Sequence, residues 1–357
     1  MDILILTGKF GMGHYSASLS LQEQLEREGH KVQVLDFFDY ALPDVAPALY
    51  RGFNFLVTYG GGVYNLIHRM TRNAEGEVPL ARELTRRLGF LLAATRPDLI
   101  LSTHPVCSGV VSRYKLKRGA QLPLITCVTD VTNHSEWIHP GTDRYLVASA
   151  TVRDGLAAKG VDPERIIVTG IPVKAQFAGA AKALGGTREL LIMGGGLGLM
   201  PRKDGFYEAL DQLPGVHTTI LVGKNQKLYR RLYGKYQNIE VVPFTDRVHE
   251  YMGRAHLMLS KPGGITTFEA IAARLPMLAW EPFLEQEREN ARFLVSHGMG
   301  LVVPKEEKDC LAAIRRCIYD EAMLGDMRRA MEDMEHTLRR RAVGLVVRQL
   351  AGQEVFA

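Results

Sequence analysis

The chain has 357 residues, 46% of them hydrophobic and 23% charged; this is a size for two domains and excludes a disordered chain, a collagen-like fibre and a small disulfide scaffold. Lys and Arg number 44 against 39 Asp and Glu, and the net charge of +5 does not by itself mark a nucleic-acid binder. Cys107, Cys127, Cys310 and Cys317 lack metal-ligand spacing and read as buried thiols of a reducing compartment. Met1-Asp2 runs straight into Ile3-Leu4-Ile5-Leu6, which predicts no signal peptide. No apolar run reaches the roughly 20 residues of a membrane span.

In chain order, strands are predicted at 2–7, 31–36, 98–102, 123–128, 144–147 and 166–168, with amphipathic helices at 13–28 and 80–95. A second series of strands follows at 189–193, 217–222, 239–242, 256–259, 276–279 and 300–303, with helices at 203–212, 286–297 and 306–319. The tail, 320–350, is helical and could pack on either half. Alternating strands and helices predict parallel sheets covered on both faces, and Leu99-Ile100-Leu101 and Leu190-Leu191-Ile192-Met193 show the expected continuous apolar character. The halves divide near Gly170-Ile171-Pro172-Val173, ahead of the small-residue run Ala178-Gly179-Ala180-Ala181. The expectation is α/β: two doubly wound Rossmann-like domains, 1–170 and 171–357, facing a cleft with ligands at the carboxyl ends of the strands.

Four clusters carry candidate chemistry. After the first strand, Gly8-Lys9-Phe10-Gly11-Met12-Gly13-His14 leads into a helix. A histidine at a helix start is made less basic by the macrodipole, which suits a neutral proton acceptor, although a capping or packing histidine fits the same spacing. In the second half, Gly194-Gly195-Gly196-Leu197-Gly198 follows a strand. It is neither a P-loop nor GxGxxG, and it fits a phosphate cradle or a plain tight turn. In Lys261-Pro262-Gly263-Gly264-Ile265-Thr266-Thr267-Phe268-Glu269, Thr266 or Thr267 is expected to cap the next helix. Glu269 would then lie in the first turn, as acceptor for a ribose diol or as capping-box partner of Thr266. Finally Gln286, Glu287 and Asn290 open another helix, with Gln286 and Asn290 on one face, as sugar-reading groups or as a solvated face.

Taken together, Gly11-Met12-Gly13-His14, Thr129-Asp130-Val131-Thr132-Asn133-His134-Ser135-Glu136-Trp137, Gly170-Ile171-Pro172-Val173, the 194–198 turn, Gly223-Lys224-Asn225, the 261–269 stretch and Gln286-Glu287-Arg288-Glu289-Asn290 form a family pattern. The sequence resembles the inverting glycosyltransferases that make glycolipids, the monogalactosyldiacylglycerol synthases and the processive diacylglycerol glucosyltransferases. It is more distantly similar to the N-acetylglucosaminyltransferase that forms lipid II. The resemblance implies a GT-B fold and transfer of a hexose from a UDP-sugar to a lipid, with diacylglycerol as the expected acceptor. It implies that Gly194, Gly195, Gly196, Leu197 and Gly198 receive the diphosphate, and that Gly263, Gly264 and Thr266 also bind the donor. Asn225 lies near the nucleotide, Phe244 beside the uracil, Glu269 on the ribose, and Gln286, Glu287 and Asn290 on the sugar. His14, Asp130 and His134 are the candidate bases. The pattern departs at Phe283-Leu284-Glu285, where relatives often carry a proline and a glycine, which leaves the sugar preference open. No Asp-x-Asp motif occupies a suitable turn, so neither metal nor other cofactor is expected.

A lipid acceptor requires a membrane-facing surface. Residues 51–118 hold eleven Lys and Arg against four Asp and Glu, interleaved with aromatic and aliphatic residues. Phe53, Phe55, Tyr64 and Arg69, with Gly13 and Trp137, are therefore expected on the acceptor or membrane side of a protein held at the cytoplasmic face of an anionic membrane. Core helices with solvated Arg edges are the alternative. Other readings are the same chemistry on a polyprenyl-linked or soluble acceptor, a UDP-sugar 2-epimerase, and a non-catalytic UDP-sugar-binding protein. Nucleic acid is not an expected partner.

Overall fold

The computed structural model describes residues 1–59, 62, 65, 80–178, 186–195, 200, 201, 203–350 and 352. All twelve expected strands form, each within one residue of its predicted bounds. The chain divides into two compact units: Met1–Lys174 with the stretch from Leu338 onward, and Ala175–Phe283 with Glu287–Thr337; Leu284–Gln286 group with the first. The helical tail is thus split, Glu321–Thr337 belonging to the second unit and Ala342–Leu350 to the first.

The first unit runs β1 (Asp2–Thr7), α1 (Gly13–Arg27), β2 (Lys31–Asp36), α2 (Phe37–Ala41), α3 (Ala46–Tyr59), α4 (Ala81–Thr95), β3 (Leu99–Ser102), α5 (Pro105–Arg118), β4 (Leu124–Cys127), β5 (Arg144–Val147), α6 (Ala150–Ala157) and β6 (Ile166–Val168). Its strands are parallel, in the order β2-β1-β3-β4-β5-β6. Side chains alternate across β1, so Leu4 and Leu6 join Leu84, Leu88 and Val110 in one core. Ile3 and Ile5 face the other way, onto Leu21 and Leu25 of α1 and Val343, Val346 and Val347 of the tail helix. That burial gives the tail a docking energy of roughly 4–6 kcal/mol at most.

The second unit runs β7 (Arg188–Met193), α7 (Asp204–Asp211), β8 (Val216–Leu221), α8 (Gln226–Leu232), β9 (Ile239–Val242), α9 (Val248–Arg254), β10 (Leu257–Ser260), α10 (Gly264–Ala272), β11 (Met277–Trp280), α11 (Glu285–Ser296), β12 (Gly300–Val303), α12 (Glu307–Ile318) and α13 (Glu321–Thr337); the tail helix of the first unit is α14 (Ala342–Leu350). The order is β12-β11-β10-β7-β8-β9. One face of this sheet packs Leu190, Ile192 and Ile220 against Phe206, Tyr207 and Leu210 of α7 and Ile314 and Cys317 of α12. All four cysteines are buried and free.

Both sheets reverse their winding beside their first strand. The first does so between β1 and β3, the second between β7 and β10. At such a switch point the loops leaving two adjacent parallel strands diverge and open a crevice at their carboxyl ends. The register puts Leu6 beside Ser102 and Met193 beside Ser260. The 8–12 and 103–104 segments therefore leave the first sheet side by side, and the Gly194 and Lys261 segments leave the second.

Candidate active site

In the first unit the chain leaving β1 must turn sharply before α1. A Cβ on Gly8 would lie 2.8 Å from the Phe38 ring, and Gly11 has φ +71°, so each position is suited to glycine alone. Gly13 opens α1 and His14 is its second residue, partly buried. His14 Nδ1 lies 2.7 Å from Thr129 Oγ1. Burial lowers the pKa of His14 to about 4 against the opposing effect of a backbone hydrogen bond with Thr103. Below it, Ser18 Oγ lies 2.8 Å from Thr103 Oγ1, which donates to Thr7 Oγ1 at 2.9 Å.

A second imidazole, unforeseen from sequence, stands beside the first. His104 follows β3 and caps α5, its Nδ1 accepting from the Val106 N–H at 3.2 Å, which leaves Nε2 to carry the proton of the neutral ring. The rings of His14 and His104 meet edge to face with centroids 4.8 Å apart. Burial holds His104 well below the ordinary range, and the adjacent His14 adds to the effect. The signal was present in the sequence as a His-Pro pair after an apolar strand, since Pro at the first helical position marks a helix start.

Asp130 is half-buried and directly follows Thr129, the partner of His14. His134, the third candidate base, lies deeper in the fold. It is 1% exposed and its Nδ1 accepts from the Glu136 N–H at 3.2 Å, capping the short turn Ser135–Trp137. Trp137, expected on the acceptor or membrane side, is 2% exposed, with its ring 6.1 Å from that of His14. It walls the histidine and has no face for a membrane. The loop is pinned by Lys159, whose Nζ donates to Asn133 O at 2.7 Å and Ser135 Oγ at 3.2 Å. Gly155 completes the seat, because a Cβ there would come 2.3 Å from Asn133 Nδ2. On α3, Phe53 is half-buried against Phe10, centroids 5.4 Å apart, and Phe55 is 67% exposed. Tyr64 and Arg69 lie outside the described residues.

In the second unit Gly194 is buried at the end of β7 and Gly195 has φ +68°, a left-handed turn that favours glycine. Gly196, Leu197 and Gly198 lie outside the described residues. The next cluster corrects an expectation. Helix α10 starts at Gly264 with Gly263 as N-cap, so neither Thr266 nor Thr267 caps it, and Glu269 sits in the second turn. The capping-box reading of Thr266 and Glu269 therefore falls. A glycine cap carries no side chain to satisfy the amides of Gly264, Ile265 and Thr266, which is the arrangement that favours an anion.

Lys261 Nζ lies 2.7 Å from Glu287 Oε1, and Glu287 Oε2 accepts from the Phe283 N–H at 3.3 Å. Asn290, fully buried, donates from Nδ2 to Pro262 O at 3.0 Å. Glu287 and Asn290, expected on the sugar, thus tie the loop after β10 to α11. Gln286 is half-buried in the first turn of α11. Asn225 caps α8, accepting from the Leu228 N–H at 3.0 Å. Phe244 leaves the end of β9 60% exposed, an open ring available for stacking. Among the described residues no three His, Cys, Asp or Glu side chains converge as a metal site would require.

The residues divide chemically. The first unit holds a neutral imidazole fixed by a hydroxyl. The second holds glycine turns, an amide-rich helix start, a carboxylate and an exposed aromatic ring.

Comparison with known proteins matches the two units separately. Residues 14–173 match the monogalactosyldiacylglycerol (MGDG) synthase family, and residues 191–338 match the glycosyltransferase family 28 C-terminal domain. The processive diacylglycerol beta-glucosyltransferase of Bacillus subtilis (strain 168) is 29% identical over 355 residues, covering 93% of this chain and 91% of its own length. Among solved structures, Acinetobacter baumannii MurG aligns with a TM-score of 0.66 at 16% identity, covering 99% of both chains. The calicheamicin glycosyltransferase CalG4 aligns with a TM-score of 0.66 at 16% identity, also covering 99% of both chains. The chain is a glycosyltransferase of GT-B fold, its first unit similar to the monogalactosyldiacylglycerol synthase family and its second to the glycosyltransferase family 28 C-terminal domain.

Proposed function

We propose that this enzyme transfers a hexose from a UDP-sugar to diacylglycerol at a membrane surface, with inversion at the anomeric carbon and without a metal. The observation that carries the acceptor half is His14, a neutral imidazole fixed by Thr129 at the switch point of the first sheet. The acceptor hydroxyl attacks the anomeric carbon, its proton passes to His14, and the bond to the diphosphate breaks with release of UDP. Negative charge grows on the departing diphosphate, where the α10 amides and the glycine turn after β7 would stabilise it. Glu269 would take the ribose diol, Phe244 would cover the base, and Gln286 would contact the sugar, with Glu287 and Asn290 holding the loop after β10 behind it. Asp130, adjoining Thr129, would orient the acceptor.

Diacylglycerol is the acceptor named for relatives that align over 93% of this chain. Among the described residues no helix is long and apolar enough to cross a membrane. A surface contact is supported by α3, where Leu49 is 39% and Phe55 67% exposed next to an exposed Arg51. Apolar side chains can embed while each basic residue near an anionic leaflet adds about 1 kcal/mol. We assign the protein to the cytoplasmic leaflet, where a UDP-sugar is available.

The test is UDP release from a panel of UDP-sugars, with and without dioleoylglycerol in phosphatidylglycerol vesicles, with EDTA throughout. Lipid-dependent release with one preferred sugar is expected. UDP binding with no lipid-dependent release refutes the diacylglycerol acceptor and turns the search to polyprenyl-linked or soluble acceptors. Interconversion of the sugar without an acceptor would mark an epimerase.

A further inference from the structure

We infer that Asp36 and Tyr50 are positioning residues that couple helix α3 to the glycine turn in front of His14. This rests on the reading of His14 as the acceptor-side base.

Asp36 ends β2, next in the sheet to β1, and its side chain is 6% exposed. Its Oδ1 accepts from the Phe38 and Asp39 N–H groups at 3.0 and 3.1 Å, which is all that capping α2 requires. The carboxylate does more than cap. Oδ1 also accepts from Tyr50 Oη on α3 at 2.6 Å, and Oδ2 accepts from the Lys9 N–H of the glycine turn at 3.2 Å. Lys9 Nζ lies 3.7 Å from Oδ2 and 2.9 Å from Asp39. One buried carboxylate therefore joins the turn, α2 and α3.

Aromatic contacts extend this link to the histidine. Phe10, in the middle of the turn, meets Tyr50 at 4.8 Å and Phe53 at 5.4 Å between centroids, both rings from α3. It also meets His104 at 5.2 Å, and His104 meets His14 at 4.8 Å. The same helix turns Leu49 and Phe55 outward. A displacement of α3 moves Tyr50 and Phe53 against Phe10, with the turn and both histidines behind it. A small misplacement of a catalytic group is costly even when the change lies far from the chemistry.

A chain of contacts is not by itself coupling, so the test is a double-mutant cycle. Tyr50→Phe removes only the hydroxyl that Asp36 accepts. With UDP-glucose and dioleoylglycerol in phosphatidylglycerol vesicles, it is expected to lower kcat about tenfold while UDP affinity stays within about twofold. In a His14→Ala background the same substitution is expected to change the residual rate less than about twofold, because the group being positioned is gone. A role in stability alone would leave the kcat loss the same in both backgrounds, and that result overturns the proposal. Wild-type kcat for Tyr50→Phe, alongside an inactive His14→Ala, overturns the proposal and spares the base assignment. Wild-type kcat for His14→Ala overturns the base assignment and the proposal with it.

Discussion

Acidifying the intact enzyme tests the central feature of the site. His14 titrates at about 4 because burial opposes its charged form, whereas an ordinary histidine titrates at 6.5. At pH 5.5 an ordinary imidazole would be about 10% neutral and His14 about 97% neutral, so about tenfold more of the buried group is in its proton-accepting form, while its lower basicity weakens each transfer. The same gap acts on stability. The unfolded chain binds a proton at 6.5 that the folded chain takes up only near 4, so stability is complete above pH 6.5 and is lost as pH falls through that window. Full loss amounts to roughly 3 kcal/mol for this group, at about 1.4 kcal/mol per pH unit. Burial of His104 acts in the same direction. The assay is kcat/KM from pH 4.5 to 9 in vesicles, with melting temperature measured over the same range. Glu136 titrates nearby, pushed up to about 7 by desolvation although its side chain is 43% exposed, and that access to water tempers the effect. The series is therefore repeated with Glu136→Gln. An acidic limb with its midpoint between pH 6 and 7 that survives Glu136→Gln would refute the argument that a desolvated His14 is the base.

Three further outcomes are expected. Glu269→Ala should weaken UDP binding about ten- to hundredfold by calorimetry, since a carboxylate that accepts from a diol loses charge-assisted bonds; unchanged affinity would remove Glu269 from the donor site. Gly300→Ala should destabilise the second unit by about 2–4 kcal/mol in thermal unfolding, because a Cβ there would come 2.1 Å from the Met277 carbonyl oxygen, which is backbone and cannot rotate away. A drop in melting temperature of less than a degree would contradict that. Leu49→Asp with Phe55→Asp should cut vesicle binding at least tenfold in sedimentation while sparing UDP affinity; full retention would take α3 out of the membrane contact.

The strands could be read from the sequence because parallel strands covered on both faces must be apolar at nearly every position, and Leu190 to Met193 shows this without any partner in view. The two glycine turns were legible for a related reason: glycine is the residue that tolerates the positive φ found at Gly11 and Gly195. Helix starts were less secure. Thr266 is a good cap by residue type, yet α10 begins two residues earlier, at Gly264, so tertiary context overrode local preference. Trp137 has the composition of a membrane anchor, and only the packed loop shows that it is buried.

Fold class, strand positions, the glycine turns and the histidine at the start of α1 are all legible from local residues, since each depends on periodicity or on one residue's own conformational range. Tertiary structure decided which distant groups meet. His104 stands beside His14 because β3 pairs with β1, and Lys261 meets Glu287 because β10 and β11 are neighbours. Asp36 became a junction because β2, the glycine turn and α3 converge on it. Sheet order sets these juxtapositions, and pairing between distant strands leaves no periodic trace in the local sequence.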